Sequence, residues 1–313
     1  MTDTPLPPPF SSIPLTPPAV FPAPGFAAPD VRALFFESVP CHGRPTRVFA
    51  WMGVPRPQPG ATCPGIVLLH GGGGTAFDEW VRLWNARGYA AIAMDLCGCV
   101  PAQPVVRDGV PHARHEHGGP PGWDASFSQT GEAVGDQWTY HAVAAAAAGH
   151  SLLAAQPGVD PGRIAATGIS WGGYLAAIVA GADPRLRAAV PLYGCGFLGD
   201  DSAWNDNAFR ALPAAQVRRW LGLWDPSRYL PLARAFRAQG EAQPDNPHLY
   251  IRAAEYYRKF LVLAPDHQAA PAARRELSAI DPDGTRLFAP GVGREVEPPV
   301  APAQTWPLWV ALA

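Results

Sequence analysis

The sequence predicts an α/β fold: a doubly wound, mostly parallel sheet with a helical addition at the C-terminal end. Three observations carry that expectation. Continuous apolar runs of strand length, Gly65–His70, Tyr89–Met94 and Leu186–Leu192, suit strands buried on both faces. Between the first two, Phe77–Ala86 places Phe77, Trp80, Val81 and Trp84 on one helical stripe, so strand, crossover helix and strand form a right-handed parallel unit. Arg163–Ala177, RIAATGISWGGYLAA, reads as a short buried strand (Ile164–Ala166), a sharp turn and an apolar helix.

With 313 residues the chain can bury one large α/β core with decoration. Residues 1–30 hold ten prolines and predict an extended, mobile leader. That leader has no basic region followed by an apolar one, so it does not read as a signal peptide, and the expected location is cytoplasmic. No apolar run reaches the length of a membrane span. A net charge of −2 argues against nucleic acid or an anionic membrane as partner.

The ordered core is expected over 31–234. Ala33–Val39 and Thr46–Trp51 read as antiparallel edge strands joined by the turn Cys41-His42-Gly43-Arg44. Pro55–Pro64 is a loop, and Cys97–Gly135, rich in Pro, Gly and His, reads as a solvated loop over the active face. Its His112, His115 and His117 lack accompanying carboxylates or thiolates at metal spacing. Five cysteines, all before residue 200, do not form a disulfide framework, and Cys97-Gly98-Cys99 has no second pair at zinc spacing. No metal or cofactor is expected. Asp136–Ala155 is a long alanine-rich helix, Gly158–Gly162 a turn, and Trp204–Trp224 an aromatic-rich helical stretch.

The chemistry concentrates in two glycine-flanked turns. Gly168-Ile169-Ser170-Trp171-Gly172 matches G-x-S-x-G, where the serine sits on a strand-to-helix turn that projects its hydroxyl above the sheet. Side chains two residues either side would collide with the neighbouring strand and helix. The N–H of Trp171 lies at a helix start, where positive potential stabilises an oxyanion. His70-Gly71-Gly72-Gly73-Gly74 ends the first buried strand and leaves backbone N–H groups open; Gly72 is the chosen second oxyanion donor. A dinucleotide cradle is disfavoured, because G-x-G-x-x-G with its following acidic residue is absent. His70 itself reads as a structural hydrogen-bonding residue.

Taken together, HGGGGTAFDEW (70–80), RGYAAIAMDLCG (87–98), DQWTYHAV (136–143), GISWGGYLAAIVAG (168–181), AVPLYGCGFLG (189–199) and WDPSRYLP (224–231) resemble the acetyl xylan esterase and prolyl-oligopeptidase-like branch of the α/β-hydrolases, near dienelactone-hydrolase-type proteins. The resemblance covers about residues 33–232. It implies hydrolysis of an acyl ester of a sugar or small molecule through an acyl-enzyme on Ser170, with Trp171 and Gly72 N–H groups as the oxyanion hole.

Beyond Leu232 the pattern departs from that family, which continues with a strand carrying an aspartate and a later His-Gly segment. Downstream of Ser170 the histidines are His248 and His267, neither after a strand nor before a glycine, so triad Asp and His are unassigned. The divergent segment 235–313 is expected to hold a helical hairpin, Leu249–Leu263 and Gln268–Ile280, a loop over Asp281–Gln304, and a final strand at Pro307–Ala313. Residues 248–280 offer a candidate protein-contact surface. Two expectations stand for the missing groups. Either Pro307–Ala313 takes the slot of the strand before the aspartate and both partners lie beyond the chain, or His267 is recruited with Asp266 or Asp281. The second function class is therefore an impaired hydrolase fold acting as a binding or scaffold module.

Overall fold

Period-two burial sets the centre of the fold. The computed structural model describes residues 9–55, 60–102, 112–229, 257 and 270–281. In β4 (Cys63–Leu69), Val67 and Leu69 enter one apolar cluster while Ile66 and Leu68 enter the other. The same alternation holds in β5 (Ala90–Met94) and in β3 (Arg44–Gly53), where Phe49 and Trp51 face away from Ala50 and Met52. Strands with both faces apolar must be covered on both sides. Helix α1 (Asp78–Asn85) brings Val81 to one face. Helices α2 (Trp138–Ala154) and α3 (Trp171–Ala182) cover the other.

The seven-stranded sheet has the order β1-β2-β3-β5-β4-β8-β9, completed by β1 (Val20–Pro22), β2 (Arg32–Cys41), β8 (Val159–Ile169) and β9 (Ala188–Leu192). β5, β4, β8 and β9 run parallel, and β1, β2 and β3 add an antiparallel edge. The fold is the mostly parallel α/β sheet the sequence predicts. From β4 the chain moves to β5 on one side and later to β8 on the other, so β4 and β8 flank the switch point. In such sheets a crevice opens there, beyond the strands' carboxyl ends. A short ladder, β6 (Cys99–Val100) with β7 (Ala113–Arg114), lies outside the main sheet.

Several expectations need correction. Residues 9–30 are not a mobile leader. Phe10 is fully buried, its ring 5.9 Å from Tyr140 and 5.4 Å from Tyr229. The Leu15 carbonyl accepts hydrogen bonds from Ser151 Oγ (2.8 Å) and Arg185 Nη1 (3.2 Å). Val20–Pro22 then pairs with β2 as the true edge, where a proline is tolerated because one side of the strand faces no partner. Proline content forbids helix, but it does not forbid an extended strap that buries occasional aromatics. The Cys97–Gly135 stretch is likewise not simply solvated. A 3-10 segment over Trp123–Gly131 buries Phe127, Gln129 and Thr130, and the half-buried His115 lies 5.0 Å from Phe35. Trp204–Trp224 is not one helix. It divides into α5 (Ala203–Asn207), which follows α4 (Leu198–Asp201), and α6 (Ala214–Trp224). Pro213 makes the break, since its missing N–H cannot continue a helix and is best placed at its start.

The chain forms two compact units, residues 1–231 and 232–313. In the second, the predicted Gln268–Ile280 helix is found as α7 (Ala270–Ile280). The predicted Leu249–Leu263 helix and Pro307–Ala313 strand, with His248, Asp266 and His267, lie outside the described residues. Among the described residues no helix is long and apolar enough to cross a membrane.

Candidate active site

The sheet register decides what meets at the crevice. Leu69 of β4 stands opposite Gly168 of β8, so the residues that follow, His70–Gly72 and Ile169–Trp171, leave the sheet side by side. Ser170 is the N-cap of α3 with φ 56° and ψ −119°, a strained conformation for a residue with a side chain. Two hydrogen bonds hold it: Ser170 N–H donates to Leu192 O (2.9 Å), and Ser170 O accepts from Tyr174 N–H (2.8 Å). The flanking glycines are sterically required. A Cβ at Gly172 would run into the Leu69 carbonyl, and one at Gly168 would strike the Gly172 carbonyl and stand 2.7 Å from Leu69 O. Trp171 is the first residue of α3, so its N–H belongs to the donors that a helix start leaves free.

The glycine run lies against this elbow. A Cβ on Gly71 would stand 3.4 Å from the Ser170 Cβ, and one on Gly72 would stand 2.9 Å from Trp171 Cδ1. The Gly71 carbonyl accepts from Gly74 N–H (3.1 Å), closing a tight turn with Gly73 at φ 70°. His70 sets that turn. Its Nε2 accepts from Leu96 N–H (3.0 Å), which leaves Nδ1 as the protonated nitrogen, donating to Gly71 O (3.0 Å). Burial pushes the His70 imidazole down to about 3, so it stays neutral. It is a positioning group, as read from sequence, and both nitrogens are engaged. Asp95 was not singled out by the sequence reading, although it ends β5 just before Cys97-Gly98-Cys99. Its Oδ1 accepts from the N–H groups of Cys97 and Cys99, both at 2.8 Å, and its Oδ2 from Thr75 (3.3 Å). Burial lifts its carboxyl to about 6. Burial and Asp95 push the Cys97 thiol up.

An aromatic wall backs the elbow. The Trp171 ring lies 4.3 Å from Trp204, 5.5 Å from Trp138, 5.8 Å from Phe127 and 6.0 Å from Trp123, and Trp123 in turn packs edge-on to His70 at 5.2 Å. Most of these rings belong to the apolar core beneath α3.

Two further described histidines have partners of their own. His112 Nδ1 accepts from Ala102 N–H (3.3 Å), and its ring also bonds the Gly73 backbone. His150 Nδ1 donates to Asp183 Oδ2 (2.9 Å), a buried His–Asp pair. It is the wrong pair for catalysis. Asp183 caps the far end of α3, whose 12 residues span about 18 Å from Ser170. Asp225 is consumed by the N–H groups of Phe197, Leu198 and Ser227. Among the described residues, no imidazole bonds the Ser170 hydroxyl.

The model of one protein family, acetyl xylan esterase, matches residues 26–225. This chain belongs to the acetyl xylan esterase family. It is thereby a serine hydrolase of the α/β-hydrolase type. No curated protein matches it. Solved structures with a similar fold include the acetyl xylan esterase of a Paenibacillus species, 19% identical over 84% of this chain and 67% of that one, TM-score 0.42. Acetyl xylan esterase 1 of a Thermoanaerobacterium species is 17% identical over 68% of this chain and 69% of its own, TM-score 0.47. The acylaminoacyl peptidase of Pyrococcus horikoshii is 17% identical over 65% of this chain but only 30% of its own length, TM-score 0.42. The family match ends at Asp225, close to where the motifs stop in the sequence. In this acetyl xylan esterase family member both glycine-flanked turns, the elbow and the run after β4, fall inside the matched span.

Proposed function

We propose that this family member cleaves a small acyl ester, an acetylated sugar or related compound, through an acyl-enzyme on Ser170. The observation that carries the reading is the strained elbow, φ 56° at a non-glycine residue pinned between two strand ends. In this mechanism Ser170 Oγ attacks the ester carbonyl and its proton passes to a base. The oxyanion of the tetrahedral intermediate accepts hydrogen bonds from Trp171 N–H and Gly72 N–H. The alcohol leaves, and water releases the acid from the serine. The aromatic cluster of Trp171, Trp204 and Trp123 next to the elbow is compatible with a small apolar acyl group.

The test is covalent labelling. A fluorophosphonate probe is expected to label the protein at Ser170, with Ser170→Ala removing the label and leaving the circular dichroism spectrum unchanged. Gly72→Pro, which deletes one N–H, is expected to lower kcat about 100-fold, the cost of one oxyanion donor. Label that persists in Ser170→Ala overturns the assignment, and full turnover in a folded Gly72→Pro moves the donor elsewhere.

A second reading has its own observation: no described imidazole reaches the serine, and the buried His150–Asp183 pair stands at the other end of α3. On that reading the protein is an impaired hydrolase that retains a binding cleft. Ester binding without turnover, and no acyl-enzyme by mass spectrometry, would favour it.

A further inference from the structure

The tip of the β2–β3 hairpin carries a cluster that the hydrolase chemistry does not use. Cys41 and Arg44 pair across a two-residue turn in which His42 has φ 47° and Gly43 φ 73°. Two successive left-handed residues define a type I′ turn, which matches the twist of a two-stranded ribbon. Glycine fits the second position freely. Histidine at the first carries a conformational cost that asparagine or glycine would reduce. The turn presents its imidazole at the tip of the hairpin.

What faces that imidazole is specific. The Asp136 side chain reaches the hairpin from the segment before α2: its Oδ1 accepts from His42 N–H (2.5 Å), and its Oδ2 stands 3.6 Å from His42 Nδ1. On the other edge of the ring, Glu132 Oε2 stands 3.5 Å from Nε2. The Cys41 sulfur, an imidazole nitrogen of His42 and a carboxylate oxygen of Asp136 all lie within 4.8 Å of one another. Cys41 and Asp136 are half-buried and His42 is exposed. Burial, then Asp136 and Glu132, raise the Cys41 thiol, while Arg114 and Arg44 act more weakly in the opposite sense. Two carboxylates and a thiol thus converge on one imidazole.

We propose that Cys41, His42 and Asp136 bind a divalent cation of the zinc class, with Glu132 orienting the imidazole from behind. Thiolate, imidazole and carboxylate form a borderline donor set that favours Zn2+ over Mg2+ or Ca2+. Tetrahedral bonds of about 2.0–2.3 Å place ligand atoms roughly 3.5 Å apart, close to the Nδ1–Oδ2 spacing present. Nδ1 is then the ligating nitrogen, and Nε2–H donates to Glu132, the carboxylate–histidine–metal arrangement that fixes ring and tautomer. Water completes the fourth position. The cation displaces the thiol proton and leaves no other group changed. It ties the hairpin tip to the segment leading into α2.

The experiment is a Co2+ titration of the reduced full-length chain, read by thiolate-to-cobalt charge-transfer absorption. One equivalent is expected to bind, with Zn2+ displacing it. Cys41→Ser should abolish the band. His42→Ala and Asp136→Asn should each weaken binding at least tenfold, Glu132→Gln about tenfold, and Cys195→Ser should leave it intact. Circular dichroism of each variant shows whether it is folded, and Asp136→Asn keeps the test valid if Cys41→Ser is not. No band with excess cobalt on the wild-type protein overturns the proposal. A band that survives Cys41→Ser assigns the metal to another thiol and overturns it equally. Wild-type affinity in Glu132→Gln overturns the orienting role.

Discussion

Ser170 carries the tension between stability and chemistry in a single backbone angle. A residue with a Cβ at φ 56°, ψ −119° costs about 1–3 kcal/mol, which the surrounding contacts must offset. Ser170→Gly is therefore expected to raise stability by about 1 kcal/mol, after subtracting the extra freedom glycine gains when unfolded. Thermal unfolding checks this, and a lower Tm would show the serine to be unstrained. Gly172→Val acts in the opposite direction. Its Cβ would enter the Leu69 carbonyl, so a loss of about 3 kcal/mol or more is expected in chemical denaturation. The same contact explains why G-x-S-x-G was readable: no other residue fits those positions, so the motif is a steric statement. Asp95 was not readable as a site residue. Its importance comes from turning back to cap the N–H groups of Cys97 and Cys99, and a lone aspartate at a strand end gives no periodic signal.

Among the elements, the N-terminal strap departs furthest from expectation. Its anchor is the buried group of Asp183, His150, Arg185 and Ser151. Arg185 grips both Asp183 oxygens (Nε to Oδ1 2.8 Å, Nη2 to Oδ2 2.6 Å) and donates from Nη1 to Ser151 Oγ (2.7 Å) and Leu15 O. Burial alone would raise the Asp183 carboxyl, but hydrogen bonds from His150 and Arg185 outweigh it and bring it from 3.8 to about 2. The unfolded chain thus takes up a proton at Asp183 before the folded one does. Its contribution, about 2 kcal/mol, is complete above pH 4 and lost as pH falls toward 2. Acid titrations of stability are expected to lose that limb in Asp183→Asn, and an unchanged profile would refute the linkage. At the other end of the strap, Phe10→Ala empties a fully buried site and is expected to cost about 3–5 kcal/mol in urea unfolding. A loss below about 1 kcal/mol would mean the strap adds little to the core.

At the scale of the whole molecule the base that activates Ser170 is what a kinetic test of the histidines addresses. The described part of residues 1–231 positions a nucleophile and two candidate donors but no imidazole beside Ser170. Of the reading's alternatives, recruitment from residues 232–313 makes a sharp prediction. If His267 or His248 is the base, its alanine variant is expected to lower kcat by at least about 1,000-fold while Ser170 stays in a folded elbow. If neither variant changes the rate, the impaired reading gains and the base is not either residue.

Strands β3, β4, β5 and β9, the second half of β8, helices α1, α2 and α3, the serine and the glycine run were legible because each follows from local rules, whereas the expected turn at Gly158–Gly162 falls largely inside β8, which already starts at Val159. Period-two and 3.6-residue patterns report which faces are buried, and a turn with no room for a Cβ reports itself as glycine. What the sequence by itself determined was therefore the parallel sheet, its elbow and the chemistry of its turns. Only the tertiary structure decided that the proline-rich start is a strap, that His150 and Asp183 brace α3 far from Ser170, and that Cys41, His42 and Asp136 meet. Those facts depend on which distant segments pack together. Leu15 reaches Arg185 and His42 reaches Asp136 across 170 and 94 residues. No local pattern encodes such a meeting, because the free energy that selects it belongs to burial of the assembled core.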